Sequence, residues 1–141
     1  QEDGPVSATA TQTRTVVVER EIPFAPEKIW RALTQPHLIA EWLMKNDFQP
    51  VVGHGYSLSA EWGAVNCEVL AVEPPTSLTY TWAGMGLESV VTWTLTPTST
   101  GTRLRMEQAG FGPENEMAFR GASAGWPRYF GALEDVLARL D

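Results

Sequence analysis

Hydrophobic and polar residues alternate with a period of two through the middle of the chain, which is typical of strands with one covered face. Five such runs, separated by short turns, lie at 56–62, 64–73, 78–82, 91–96 and 103–108. Together with the β-branched run Thr15–Ile22, they predict six strands, the last five joined as an antiparallel meander. Within the second run the apolar phase changes from Val69 to Leu70, which predicts a bulge or a strong bend.

The N-terminal part of the chain begins with a stretch that has no hydrophobic period, and a helical pattern follows the first strand. Residues 1–13 are rich in Thr, Ala, Ser and Gln without any period. This composition predicts a flexible tail, followed by a single domain over 14–141. After the first strand, apolar positions within 26–42 recur at steps of three and four and predict helical structure. Gln35-Pro36 divides that stretch into two short helices, because the residue before a proline avoids the helical region.

The last part of the chain carries a longer helical pattern, with apolar positions at steps of three and four over 115–140. Pro127 removes one backbone hydrogen bond there, so the helix either bends or begins afresh near Ser123. The order of strand, two short helices, five strands and long helix predicts an α+β fold. In that fold a curved six-stranded antiparallel sheet wraps around the C-terminal helix.

Composition and charge narrow the classes of partner. The 141 residues carry a formal net charge of -7, and the ten basic residues form no run, which argues against nucleic acid as a partner. A single cysteine, Cys67, excludes an intrachain disulfide and a cysteine-based zinc site. No segment approaches the roughly 18 apolar residues of a membrane span. The polar N-terminus lacks a signal-peptide pattern, so a cytoplasmic location is expected.

Aromatic residues concentrate on the face of the sheet that is predicted to be covered. The chain has six tryptophans, and strand parity places three of them on this face with two tyrosines. An apolar pocket with a few polar groups is typical of small-ligand sites, although the same side chains could instead fill the space as an ordinary core. The residues predicted to line such a cavity are Trp42, Tyr56, Trp62, Cys67, Tyr80, Trp82, Trp93, Gln108, Trp126 and Phe130.

No recognisable catalytic or metal-binding set emerges. Gly121–Gly125 matches the G-x-S-x-G pattern, but it lies in a predicted helix without the preceding strand that a hydrolase elbow needs. His37 is predicted to be exposed and His54 to lie in a bend, and neither has a second ligand at metal spacing. No metal and no cofactor are therefore predicted. Glu68 lies beside the phase change, where a buried carboxylate could act as a base.

Five stretches, taken in their order and spacing, resemble a known family. They are FAPEKIWRALTQPHLIAEW (24–42), VEPPTSLTYTW (72–82), SVVTWTL (89–95), GTRLRMEQAGF (101–111) and GWPRYFGALEDVL (125–137). The resemblance is to the START-like (SRPBCC) superfamily, in the branch of homologues of the activator of the heat-shock-protein-90 ATPase. It implies the helix-grip, or Bet v 1-like, fold, in which sheet and helix enclose an elongated apolar cavity. One departure is Gly53-His54-Gly55, where family members often carry a Gly-Gly pair.

The resemblance implies a pocket more firmly than a reaction, because relatives include lipid-binding modules, polyketide cyclases and co-chaperone domains. Three functions stay open. Binding of a hydrophobic or aromatic small molecule without catalysis is favoured, since no catalytic set is recognisable. The second is regulation of a chaperone's ATPase. The third is a cyclase-like or hydrolase-like reaction that uses a tyrosine, His54 or Glu68 as acid or base. The oligomeric state, including a homodimer, stays open.

Overall fold

Seven strands and three α-helices form within residues 13–140, the part of the chain that this computed structural model describes. The strands are β1 (Arg14–Ile22), β2 (Lys45–Asn46), β3 (Gly55–Ala60), β4 (Gly63–Glu73), β5 (Ser77–Gly84), β6 (Leu87–Pro97) and β7 (Thr102–Phe111). The helices are α1 (Pro26–Thr34), α2 (Pro36–Trp42) and α3 (Glu116–Arg139), the last preceded by a 3-10 turn at Pro113–Asn115. The predicted tail 1–13 lies, except for Thr13, outside the described residues, so its flexibility stays a prediction, as does the single domain over 14–141.

The strands form one antiparallel sheet in the order β1-β7-β6-β5-β4-β3-β2. The predicted α+β helix-grip architecture is therefore confirmed, with a sheet of seven strands where the sequence predicts six. The additional strand is β2, whose two residues pair with Ser59 and Leu58 of β3. Two residues are too few to display a period of two, which is why the pattern of the sequence does not reveal this strand.

Two positions of the meander differ from the predicted strand parity. The phase change in β4 is confirmed as an irregularity of the β4–β5 pairing between Val69 and Ala71. Leu70, however, is 42% exposed, because the bulge leaves its side chain outside the buried face. The predicted inward orientation of Trp62 is wrong: β3 ends at Ala60, Trp62 belongs to the two-residue turn before β4, and its side chain is 53% exposed. The alternation of side chains between the two faces of the sheet therefore predicts burial only within the strand itself.

The helices cover the buried face of the sheet. A proline stands at the start of both α1 and α2, where its fixed φ suits the first helical turn and its missing N–H costs nothing. Helix α3 continues through Pro127, so it does not begin afresh near Ser123. No helix within residues 13–140 combines the length and the apolar character needed to cross a membrane. The residues that α3 buries recur at steps of three and four: Trp126, Phe130, Leu133, Val136 and Leu137.

Candidate ligand-binding cleft

The tryptophan at the centre of β6 is surrounded by other rings. The centroid of Trp93 lies 5.6 Å from that of Trp42 and 5.6 Å from that of Phe130. Trp126 lies 5.8 Å away, and the indole N–H of Trp93 donates a hydrogen bond of 3.0 Å to the Tyr80 hydroxyl. Trp93 and Phe130 are fully buried. These side chains therefore fill the space between the sheet and α3 at this level rather than line an open cavity.

A second buried group joins β3, β4 and β5. Tyr56 is paired with Cys67 across two strands, and its ring lies 5.8 Å from that of Tyr80. Burial raises the pKa of the Cys67 thiol to about 12, although the Tyr56 hydroxyl hydrogen-bonds to it and acts in the opposite direction. Burial likewise raises the pKa of both tyrosines. All three groups are protonated at neutral pH, so none of them is prepared to act as a nucleophile or a base.

A cleft of about 320 Å³ opens at one end of this packed interior. It lies between the β3–β4 turn, the β5–β6 turn and the first half of α3. Gly121 and Gly125 form part of the α3 wall, and their lack of a side chain keeps this side of the cleft open. The volume lies at the lower end of the range of about 300–1,000 Å³ that is typical of small-ligand pockets. The aromatic residues of the lining are Trp62, Trp82, Phe111, Trp126 and Tyr129.

A buried amide forms the polar part of the cleft wall. The side chain of Gln108 is 1% exposed. Its Oε1 accepts a hydrogen bond of 2.7 Å from the Trp126 indole, and its Nε2 donates one of 2.9 Å to the Ser89 hydroxyl. Ser89 in turn donates to the backbone carbonyl of Trp82 at 2.8 Å. This relay fixes the orientation of the amide and couples two cleft tryptophans on β5 and α3 to the same polar group.

The mouth of the cleft carries a long apolar side chain in an unusual backbone conformation. Met85 lines the cleft and is 80% exposed. Met85 and Gly86 both have positive φ, 52° and 83°, and together form the two-residue turn between β5 and β6. Such turns favour Asn or Gly at the first position, because most residues with a Cβ are strained in the left-handed region and only Gly and, less readily, Asn adopt it. A methionine is therefore held at the mouth against a local backbone preference.

We expect Met85→Asn to raise the free energy of unfolding by about 0.5–1 kcal/mol, because asparagine adopts the left-handed conformation more readily than methionine. Urea denaturation of the two proteins would measure the difference at constant m-value. Gly86→Ala is the opposite control: its φ of 83° disfavours any Cβ, so this variant should lose about 1–2 kcal/mol. A Met85→Asn variant less stable than the parent would contradict this account of the turn.

The ten residues predicted to line a cavity divide into two groups. Trp62, Trp82, Gln108 and Trp126 meet in the cleft. The remaining six are buried in the packed interior: Trp42, Tyr56, Cys67, Tyr80, Trp93 and Phe130. Prediction from the sequence missed Met85, Arg128 and Tyr129 as cleft residues. Tyr129 follows Trp126 by three positions on the same helix, so helical spacing could have identified it.

Of the candidates for acid–base chemistry, His54 and Glu68 lie outside the cleft lining, whereas one tyrosine, Tyr129, belongs to it. His54 is half-buried, its Nε2 lies 3.0 Å from the carbonyl oxygen of Asp47, and its ring stacks on Tyr56. Glu68 is exposed, so it lacks the burial that a role as a base would require. His37 is exposed as predicted. The Gly121–Gly125 segment lies within α3, as expected from the rejection of a hydrolase elbow. Within residues 13–140, no three His, Cys, Asp or Glu side chains are arranged to hold a metal ion.

Comparison with known proteins gives consistent matches to one family. A family model described as "Activator of Hsp90 ATPase homolog 1-like protein" matches residues 23–138. The crystal structure of protein MLL2253 from Mesorhizobium loti is 61% identical, with a TM-score of 0.88, over 91% of this chain and 99% of that one. DynU16, a protein of the dynemicin biosynthetic locus, is 30% identical with a TM-score of 0.79, over 88% of this chain and 47% of that one.

A more distant match extends the same fold. The solution structure of Bacillus halodurans protein BH1534 is 25% identical with a TM-score of 0.77, over 88% of this chain and 96% of that one. A search of curated protein sequences finds no match. The family thus rests on the family model and the fold on several solved structures, and none of the names of these structures states a ligand or a reaction.

Proposed function

We propose that this chain, which belongs to the family of activator of Hsp90 ATPase homolog 1-like proteins, binds a hydrophobic or aromatic small molecule in the cleft beside α3. The observation that carries the proposal is the lining of that cleft, which combines three tryptophans and a tyrosine with a single buried amide. A mostly apolar surface gives affinity through burial, and a few oriented polar groups give specificity. Gln108 supplies such a group.

The arrangement of the rings supports an aromatic ligand in particular. The centroids of Trp82 and Trp126 lie 5.5 Å apart, and those of Trp126 and Tyr129 lie 5.4 Å apart. These separations fall within the range of about 4.5–7 Å over which aromatic pairs attract one another. A planar ligand in the cleft would extend this series of ring contacts. DynU16, from a biosynthetic locus, shares the fold at 30% identity, which supports a role close to small-molecule chemistry.

Filling the cleft from α3 should abolish binding without unfolding the protein. We expect Gly125→Leu to weaken binding of 2-naphthamide, a neutral two-ring probe, at least tenfold. The new side chain would extend from the wall into the cleft, and its Cβ would meet only Tyr129 Cε2 at 3.8 Å, an ordinary contact. Leucine is also the better helix former by roughly 0.8 kcal/mol, so the fold should be retained. Isothermal titration calorimetry would measure the affinity of each protein.

The matched control for this experiment is Gly131→Leu, on the same helix but outside the cleft lining. A Cβ at Gly131 meets no atom within 4 Å, so the side chain can be accommodated there. This variant should bind 2-naphthamide as the parent does. Equal binding by Gly125→Leu would place the ligand elsewhere. Absence of binding by the parent to 2-naphthamide and to a panel of other aromatic and aliphatic probes would refute the proposal.

Regulation of a chaperone ATPase is a second candidate, and one observation favours it. Two large apolar side chains of the cleft lining, Trp62 and Met85, are exposed, and Met117, which precedes the lining residue Ala118, is 82% exposed. Exposed apolar patches commonly mark interaction sites. An ATPase assay of the cognate chaperone with and without an excess of this protein would test the role. An unchanged rate of ATP hydrolysis would contradict it.

A further inference from the structure

The cleft has an unusual distribution of charge for this protein. The chain as a whole carries 17 acidic and 10 basic residues. Among the described residues, however, Arg128 is the one charged residue of the cleft lining, and no Asp or Glu belongs to it. An apolar lining with a lone cation disfavours a cationic ligand and favours an anionic one, because like charges repel and opposite charges attract each other.

Among residues 13–140, Arg128 has no acidic partner, unlike most other arginines of this part of the chain. Within residues 13–140, no ion pair involves Arg128, and its side chain is exposed. A guanidinium without a carboxylate partner retains its full set of N–H donors for a ligand. Arginines that are already paired with glutamates are Arg14, Arg20, Arg105, Arg120 and Arg139.

The neighbouring polar groups of the cleft act as donors too. Burial raises the pKa of the Tyr129 hydroxyl, and the guanidinium of Arg128 opposes that effect only in part. Tyr129 is therefore protonated at neutral pH and can donate. Gln108 uses one Nε2 hydrogen for Ser89, and no second acceptor for Nε2 occurs among residues 13–140. Gln108 and Tyr129 thus offer donors beside Arg128, which suits a ligand group rich in acceptor oxygens.

A neighbouring depression on the other side of Gly84 and Leu87 has the opposite character. It measures about 360 Å³, and two carboxylates, Glu88 and Glu114, line it together with mainly backbone and amide groups. The negative charge of this region lies beyond the wall of the cleft rather than within it. A bound anion would be repelled from that wall and attracted towards Arg128, so the charge distribution also indicates an orientation for the ligand.

From these observations we propose that the natural ligand of the cleft is an aromatic compound with a negatively charged group, such as a carboxylate, that faces Arg128. The ring would lie among Trp62, Trp82 and Trp126, and the charged group would accept hydrogen bonds from the guanidinium. This assignment rests on the proposed binding function and adds the chemical class and the orientation of the ligand. Arg128 is thereby a specificity-determining residue.

Three probes with the same ring system test the assignment: 2-naphthoate, 2-naphthamide and 2-naphthylmethylammonium. Calorimetric titration of the parent protein should give an affinity for 2-naphthoate about tenfold higher than for the amide, because charge-assisted hydrogen bonds are stronger than neutral ones. The cationic probe should bind more weakly than the amide. The preference for the carboxylate should shrink as ionic strength rises, since salt screens an exposed guanidinium.

Two variants with the same change in net charge separate a local effect from a global one. Arg128→Gln should remove the roughly tenfold preference for 2-naphthoate over 2-naphthamide. Arg103→Gln, at an exposed residue outside the cleft lining, should keep the preference. Equal affinities of the parent for naphthoate and amide, or an equal loss of preference in both variants, would overturn the assignment while the cleft still binds. Failure of all three probes to bind would instead overturn the proposed binding function, and the assignment with it.

Discussion

Replacing Trp93 by alanine is expected to lower the free energy of unfolding by about 3–5 kcal/mol, out of a total of about 5–15 kcal/mol for a typical domain. The side chain is fully buried, and its ring contacts those of Trp42, Trp126 and Phe130. Its removal would leave a cavity among rigid rings and deprive the buried Tyr80 hydroxyl of its donor. Urea denaturation, followed by far-ultraviolet circular dichroism, would measure the loss.

Trp62→Ala is the matched control, since it removes the same side chain from an exposed turn. Substitutions of exposed residues usually change stability by no more than about 0.5 kcal/mol. Trp62 nevertheless lines the cleft, so this variant should weaken binding of an aromatic probe while Trp93→Ala lowers stability. A similar loss of stability in the two variants would contradict the distinction between a filled interior and an open cleft.

Gln108→Leu is expected to lower the free energy of unfolding by about 1–3 kcal/mol, although leucine is apolar and of similar size. The substitution would leave the buried indole N–H of Trp126 without an acceptor and remove the donor to Ser89. A buried polar group without a partner bears its full desolvation cost, which exceeds the net gain of a typical hydrogen bond. Chemical denaturation would measure this loss, and probe binding should weaken in parallel because the amide lines the cleft.

A double-mutant cycle identifies the cause of that loss. Trp126→Phe removes the indole N–H while keeping an aromatic ring. In that background, Gln108→Leu no longer leaves a buried donor of α3 without an acceptor. We expect the two substitutions to be less costly together than the sum of their separate effects, by about 0.5–2 kcal/mol. Additive effects within about 0.3–0.5 kcal/mol would show that the hydrogen bond between Gln108 and Trp126 contributes little, and that lost packing explains the change instead.

The family membership and the helix-grip fold predicted from the sequence are both confirmed. The structure also confirms several local predictions, among them the bulge in β4 and the division of the first helical stretch at Gln35-Pro36. These features depend on short-range properties of the chain: the period of the apolar positions and the conformational limits of proline. The prediction for Trp62 was wrong because the apolar alternation continues to residue 62, whereas strand β3 already ends at Ala60.

What the sequence determined by itself is therefore the order of the elements and the burial of residues inside long strands, such as Trp82, Trp93 and Gln108. Only the tertiary structure decided which buried residues fill space and which line it. That distinction depends on the distance between α3 and the sheet, which is set jointly by side chains from distant parts of the chain. Around Trp93 large rings close the gap, whereas Gly121 and Gly125 leave two positions of α3 without a side chain, and a cleft remains beside them. No local pattern encodes such a gap, because a void is a property of packing and not of any single residue.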